Sequence, residues 1–594
     1  MSRENSTPYL FAQRPVLPFR SARTHCPNCH APLQVQKTRT RTVHTLHLGR
    51  FIAQETILEC GQCQNPTLYG AEALTRLVPP GCTFGYDVVN WVGQALFRRH
   101  RRAQEVVEEL AERNVHLSAS EVGYLGRKFV VYLALAHRQC APRLKKAMRQ
   151  QGGYILHLDG TCEGGGPVLM SSLDSISEIV LGNVKLPSEK AQEIIPFLEH
   201  IKSAYGVPLA MVHDMGPGIL AAVKEVFPGV PDFICHFHFL RDAGKDLLEA
   251  DYDAIRKRLR QHGITEKLRA QARRLKRAMD QEPDLVESFS RSVQANVRPT
   301  QTIDRLPLFA AYSLIQWALE GKTQGDGYGF PFDRPHVQFA QRLRLVAEEL
   351  ERIKTVHLRG QWKDNIPLLR LSCQLKPVAQ DRTLRRMIEA IEVNLEVFDQ
   401  LRSAMRMAAV GASAGLNSGG DPVPLGPIAK AVTHFRQTIT SRSDYPANSG
   451  WKAMIAQFDK YWDKLFADPI RVQTPHGPLL IQPQRTNNLM ERFFRDFRRG
   501  ARRKGGQNSI SRQLQTMIAD TPLIRNLDNP RYLKILLNGQ VTLEERFAQI
   551  DIDAVRRELA AAATSPERIP PAIRQLIRVP AFLATLSALF RKAA

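Results

Sequence analysis

Apolar residues recur with two periods along the chain, every second position in a few short stretches and every third or fourth elsewhere, and the switches between them lay out its elements. Alternation shows first at Thr42, Val43, Thr45, Leu46 and Leu48 and again at Ile57 and Leu58, which predicts a hairpin within 21–70. From 86 to 137 the period is helical: Val88, Val89, Val92 and Leu96 form one stripe, Val106, Val107 and Leu110 another, and Asn114 supplies a turn after which Leu117 tucks in. Ser118-Ala-Ser-Glu121 then reads as a capping box opening a helix that carries Val122, Leu125 and Phe129. Strands take over at 154–158, 167–173 and 178–186. A helical stretch from Ser188 carries Ile194, Ile195, Leu198 and Ile201, and Pro196 inside it should kink or shorten it. A strand at 208–212 ends in His213-Asp214, a helix with Ile219, Leu220, Val223 and Val226 follows, and a strand at 233–235 closes the set.

Residues 243–470 are helical almost throughout, with Gly- and Pro-rich breaks at 321–335 and 411–427. Extended pieces at 471–474 and 478–482 lead into 485–504, RTNNLMERFFRDFRRGARRK. At helical spacing Met490, Phe493, Phe494 and Phe497 fall on one stripe, while Glu491, Arg495 and Arg498 share the neighbouring face, Arg492 and Arg499 lie just beyond, and Asp496 points away. The tail after Leu523 is helical, broken by Pro570, Pro571 and Pro580. The layout predicts a multidomain α+β chain. Its order is a disordered arm at 1–20, a cysteine module at 21–70 and a helical DNA-binding domain at 82–148. Next come an α/β segment at 150–242, an all-helical stretch at 243–470, two extended pieces and the Glu491 helix at 471–525 and a helical C-terminal segment at 526–594.

Charge narrows the partners. Of 594 residues, 82 are Lys or Arg and 58 Asp or Glu, a net charge of +24, which favours a polyanion and points first to nucleic acid. An anionic membrane is the rival, but no apolar run approaches the ~18 residues of a spanning helix and the N-terminus lacks a signal-peptide block, so no membrane partner is expected. A soluble cytoplasmic protein associated with the nucleoid is the resulting expectation. The dense basic run from 255 to 277 could grip phosphates or simply be a solvated helical face.

Nine cysteines in a chain of this length suit metal in a reducing compartment better than a disulfide framework. Cys26-Pro-Asn-Cys29 and Cys60-Gly-Gln-Cys63, on two hairpin turns, can bring four thiolates to tetrahedral distance, so 21–70 reads as a zinc ribbon with one structural Zn²⁺. The segment has little core without metal. Downstream, two short helices about a tight turn, flanked by Arg98, Arg99, Arg101 and Arg102, resemble a helix-turn-helix, although a plain helical connector has the same pattern.

Asp159 and Asp214 end the first and fourth strands of the core. Aspartates there are most often caps or turn formers, but in this topology the two strands can lie side by side and set both carboxylates at one sheet edge. Two such carboxylates repel unless a divalent cation lies between them. Glu491 among its arginines poses the same problem, since a polyanion beside a carboxylate also calls for a cation.

The series HLDGT at 157–161, VHDMG at 212–216, ICHFHFLRD at 234–242 and TNNLMER at 486–492 resembles the DDE transposases of bacterial insertion sequences. More narrowly it resembles the Mutator-related group. The resemblance implies a ribonuclease H-like core interrupted by a large helical insertion, with Asp159, Asp214 and Glu491 as the catalytic, metal-binding triad for two Mg²⁺ or Mn²⁺. Cys235 and His238 match that group's Cys-x-x-His signature, for which shaping of the active site is favoured over a separate metal site. It further implies metal-dependent cleavage and strand transfer at the ends of a mobile element. Double-stranded DNA, both element ends and target, would be the partner, held by Arg492, Arg495, Arg498, Arg499, Arg502, Arg503 and Lys504 in a homodimer or larger assembly. A metal-dependent nuclease of the same fold shares triad and charge; a non-catalytic DNA-binding derivative would be expected to have lost a carboxylate, and all three are present.

Overall fold

The computed structural model describes residues 14–63, 67–297, 305–358, 361–408, 425–466, 468–506, 509–563 and 571–588. It is a mixed α/β protein that divides into two compact units, one made of Met1–Pro231, Arg471–Leu480 and Asn487–Ala594, the other of Asp232–Ile470 and Ile481–Thr486. Among the described residues no helix is long and apolar enough to cross a membrane.

In the first unit, Val16–Arg20 (β1), Gln34–Thr45 (β2), Gly49–Glu59 (β3) and Leu68–Tyr69 (β4) form one sheet in the order β1-β3-β2, with β4 also on β3. The expectation of a structureless arm at 1–20 is corrected over β1, whose Leu17 and Phe19 pack on the small core of Val43, Phe51 and Ala53; residues 1–13 of that arm lie outside the described residues. Alternation along β1 was too brief to register as a period. The predicted hairpin is β2–β3, antiparallel from Gln34↔Glu59 to Thr45↔Gly49.

The second sheet of this unit holds Ile155–Thr161 (β5), Val168–Asp174 (β6), Ile179–Leu186 (β7) and Ala210–His213 (β8) in the order β7-β6-β5-β8. β5, β6 and β7 form an antiparallel meander, and β8 joins β5 parallel after a crossover through the helix Ala191–Tyr205. Pro196 does not shorten that helix, which continues to Tyr205: Pro196 and Gln192 are both exposed, so the carbonyl deprived of its donor meets water.

The helical pair of 82–148 forms as read, with Ala103–Ala111, a turn at left-handed Asn114, and a helix capped by Ser118, whose hydroxyl accepts from Glu121 N–H while Glu121 accepts from Ser118 N–H. The second helix continues to Gln150 and is no separate domain. Its buried face joins the core of the sheet, together with Tyr532, Leu536, Phe547 and Val555 of the C-terminal segment. His137, at the heart of this core, lies 2.9 Å from Tyr532 Oη, 3.0 Å from the Leu181 carbonyl and 2.8 Å from Tyr205 Oη, tying four elements at one ring. The borders expected at 148 and 525 therefore fall inside one continuous core.

The described residues of the second unit are mainly helical after the strand Asp232–Ile234, with helices from His236–His262 to Ser449–Leu465. Phe239 meets Phe458 at 4.7 Å between ring centroids, and Gly244 lets Phe398 and Pro331 approach where a Cβ would come within 2.4 Å of Pro331. The predicted break at 411–427 falls largely outside the described residues. Part of the basic run is structural: Arg258 donates to Asp381 at 2.6 Å, and the same carboxylate caps the helix Arg382–Ala404 through Thr383 and Leu384 N–H.

Candidate active site and cysteine cluster

The parallel register Ile155↔Ala210 through Leu158↔His213 sets Asp159 and Asp214 as successive neighbours on adjacent strands. β5 continues past the predicted end at 158, because β6 still pairs with Asp159, Gly160 and Thr161, so Asp159 sits on the sheet rather than in a loop. Each carboxylate is oriented by a following glycine amide: Gly160 N–H donates to Asp159 at 2.8 Å and Gly216 N–H to Asp214 at 3.0 Å. Asp159 is only 9% exposed, whereas Asp214 and Glu491 are half-buried.

Glu491 lies in the first turn of the helix Asn488–Gly505, whose Leu489, Met490, Phe493 and Phe494 are buried as the stripe required, with Phe497 half-buried beside them. The preceding residue Asn487 is completely buried; its amide nitrogen donates to the Leu158 carbonyl at 3.1 Å and its oxygen lies 2.9 Å from His157 Nδ1. With the nitrogen committed to Leu158, the oxygen accepts from Nδ1–H, which fixes the His157 tautomer. The start of the glutamate helix is thus pinned to the two β5 residues before Asp159. The partners of Asn487 on β5 lie some 330 positions away in sequence, so no local pattern announced this contact.

Burial pushes the Asp159 carboxyl well above the usual carboxylate range, and the charges of Asp214, Glu491 and Glu189 push it further. Glu189 is a fourth acid at this place that sequence reasoning missed. A Cβ at Gly160 would stand 2.6 Å from its Oε1, and one at Gly218 would stand 1.8 Å from its backbone oxygen, so both glycines leave room for it. Burial, then Asp214, raise its pKa as well. Among the described residues, Asp159, Asp214 and Glu491 do not bring one carboxylate oxygen each to within 4.8 Å of one another.

The arginine face divides. Arg498 donates to Thr161 at 2.7 Å, and Glu163, which accepts from Ile510 N–H at 2.8 Å, feels the charges of Arg498 and Arg502. Arg499 is 4.0 Å from Asp496. Arg492, Arg495, Arg502 and Arg503 are exposed, whereas Lys504 turns to the opposite side of the helix and lies over the Phe97 ring. Cys235 and His238 belong to the second unit, where Cys235 is buried at the start of the helix His236–His262. His236, beside them, is buried between Arg485 and the Leu465 carbonyl, a structural position that burial and the Arg485 charge keep neutral, with a pKa near 3.

The four cysteines converge. Cys29 Sγ lies 3.3 Å from Cys60 and 3.6 Å from Cys63, Cys26 lies 3.8 Å from Cys63, and all four sulfurs fall within 4.8 Å of one another. A tetrahedral zinc with Zn–S bonds of about 2.3 Å requires sulfurs about 3.8 Å apart, which this cluster matches. The hairpin explains the convergence, since the Gln34↔Glu59 pair places both knuckles at its open end. Backbone N–H groups of Cys29 and Asn28 draw Cys26 down to about 6, while hydrogen bonds to its cysteine neighbours push Cys63 up to about 12. Thiols in mutual contact cannot all ionise without a cation. Neither the family models nor the curated proteins compared with the chain match it.

Proposed function

We propose that this chain is a DDE-type DNA strand transferase with a ribonuclease H-like core, cutting and joining DNA at the ends of a mobile element. The observation that carries the reading is the parallel β5–β8 register, which makes Asp159 and Asp214 neighbours beside the strand that Asn487 ties to the Glu491 helix. Asp159, Asp214 and Glu491 would hold Mg²⁺ or Mn²⁺. When bound, such ions supply Lewis acidity to a phosphodiester and lower the pKa of an attacking water or 3′-hydroxyl. The chain's own part is positional. Gly160 and Gly216 amides aim two carboxylates, Asn487 sets the third, and Arg492, Arg495, Arg498, Arg499 and Arg502 hold phosphates without reading sequence.

Sequence would be read by the helical pair, where Ser120, Tyr124 and Arg127 form an exposed stripe on the capped helix. The cysteine module is a zinc ribbon in this reading, and two DNA ends call for a dimer or larger assembly. The test is purified protein with Mg²⁺ or Mn²⁺ and DNA bearing the sequences that border its gene. Glu491→Gln should lose more than about 10³-fold in cleavage while still binding DNA; equal cutting and joining by this variant sinks the assignment. Cleavage without joined products identifies a nuclease instead.

A further inference from the structure

The glutamate helix has a second face. Lys504 falls about 140° around the axis from Glu491, beside Phe493, Phe497 and Gly500, and lines a cavity of about 630 Å³. The π-helical turn Gln94–Arg98 and the 3₁₀ stretch Thr521–Asp528 supply the other walls. Its volume is that of a small-molecule site, and its lining joins aromatic rings to cations that lack counter-charges. Lys504 Nζ sits 5.0 Å from the Phe97 ring centroid, and no carboxylate pairs with it among the described residues. Arg525 lies 5.4 Å from the Phe493 centroid, with its Nη1 buried and without a hydrogen-bond partner. The acids at the cavity do not answer them: Asp528 is paired with Arg98, and Asp496 stands exposed, 4.0 Å from Arg499. His100, packed on Gly500, is held below its ordinary pKa by burial and by Arg503 and Lys504.

Holding two half-buried cations against aromatic rings, with no counter-charge on them among the described residues, costs stability, and burial lowers the pKa of Lys504. Such groups persist where an anion completes them. Inorganic phosphate would satisfy the cations and leave the aromatic wall bare; a flat aromatic ring carrying a phosphate would satisfy both. We propose that this cavity is a nucleotide site, in which Lys504 and Arg525 take the phosphate and the Phe97, Phe493 and Phe497 wall takes the base. The nucleotide is either free or one unit of a DNA strand turned out of its stack. The site needs no divalent ion, so it can fail while the carboxylate reading stands, and the reverse.

The test uses full-length protein in EDTA. Calorimetric titration with dAMP and with inorganic phosphate probes the free source. A single-stranded and a duplex oligonucleotide carrying 2-aminopurine probe the strand source, by the fluorescence rise when that base unstacks. For the free source, dAMP binds at least tenfold tighter than phosphate; for the strand source, dAMP is silent and the 2-aminopurine signal rises. In either case Lys504→Met and Arg525→Met each weaken the response at least tenfold while Tm holds or rises, because an unpaired buried charge has been removed. Exposed Asp496→Asn, which leaves the packing untouched, should tighten binding two- to threefold. The proposal is overturned if no probe binds, if both methionine variants bind as the unmodified protein does, or if their Tm falls together with binding.

Discussion

The cysteine cluster and the carboxylate site face one electrostatic problem, several acidic side chains held close together, and solve it in different surroundings. The four cysteines come from two knuckles at one end of a hairpin, supported among the described residues by a small core of Cys26, Ala31 and Cys60 with Leu33 and Cys63 against it. The carboxylates stand on a sheet and a helix whose packing extends through an extensive core of the first unit. In the first, a metal would hold the fold; in the second, the fold holds the ligands whether or not a metal is present. Local sequence spacing suffices to recognise the first kind of site, and long-range topology builds the second.

The largest effect expected from this contrast follows metal removal. Chelation at mildly acidic pH, or Cys60→Ser, should release one equivalent of zinc and open residues 21–70 to limited proteolysis, while the sheet carrying Asp159 and Asp214 stays protected from hydrogen exchange. Freshly purified protein with no zinc, or protection lost equally in both regions, breaks the comparison.

A smaller effect should separate the two regions by pH. His137 and His157 are buried and held neutral, each with its pKa lowered to about 4, chiefly by desolvation. The unfolded chain takes up those protons near pH 6.5, so it binds more protons than the native state between about 6.5 and 4. The contribution of these rings is therefore full above 6.5 and falls with acidification through that window, by up to about 3 kcal/mol for each ring. Urea unfolding of the carboxylate-bearing unit, followed from pH 7.5 to 4.5, should show that loss, and His137→Gln should flatten it. Because the raised carboxyls of Asp159 and Asp520 act in the opposite sense, the difference between the unmodified protein and His137→Gln is the readout, and identical pH profiles for the two would mean that this ring is not held neutral.

What was legible in the sequence follows the same division. Both C-x-x-C pairs, the Ser118–Glu121 capping box and the Met490–Phe497 stripe depend on residues a few positions apart, and each takes the form its spacing required. The adjacency of Asp159 and Asp214 could be anticipated because only a few strand orders suit three strands, a helix and a fourth strand. Glu189, Asn487 and the role of the C-terminal segment could not, since their partners are remote in sequence. Tyr532 and Phe547 enter the same core as the helical pair without any local pattern to announce it. A proline in a helix was over-read for a related reason, since the cost of Pro196 depends on whether water reaches the freed carbonyl.

Asn487 offers the finest test, because it belongs wholly to the topological kind of site. Asn487→Ala removes a donor to the Leu158 carbonyl and the acceptor of His157 Nδ1–H, stripping a buried ring N–H of this partner at a cost of about 1–3 kcal/mol. The same change frees the first turn of the Glu491 helix from the strand that bears Asp159, so Mn²⁺ affinity at the carboxylates should fall about tenfold, in the range seen when groups that orient metal ligands are lost. Zinc content should not change, because no cysteine depends on this contact. Asn487→Asp sharpens the point: a buried carboxylate beside His157 favours the imidazolium, so the contribution of this ring to acid sensitivity should shrink or reverse sign. Unchanged Mn²⁺ affinity in Asn487→Ala would show that Glu491 finds its place without the strand, and the distinction between the two sites would then rest on burial alone.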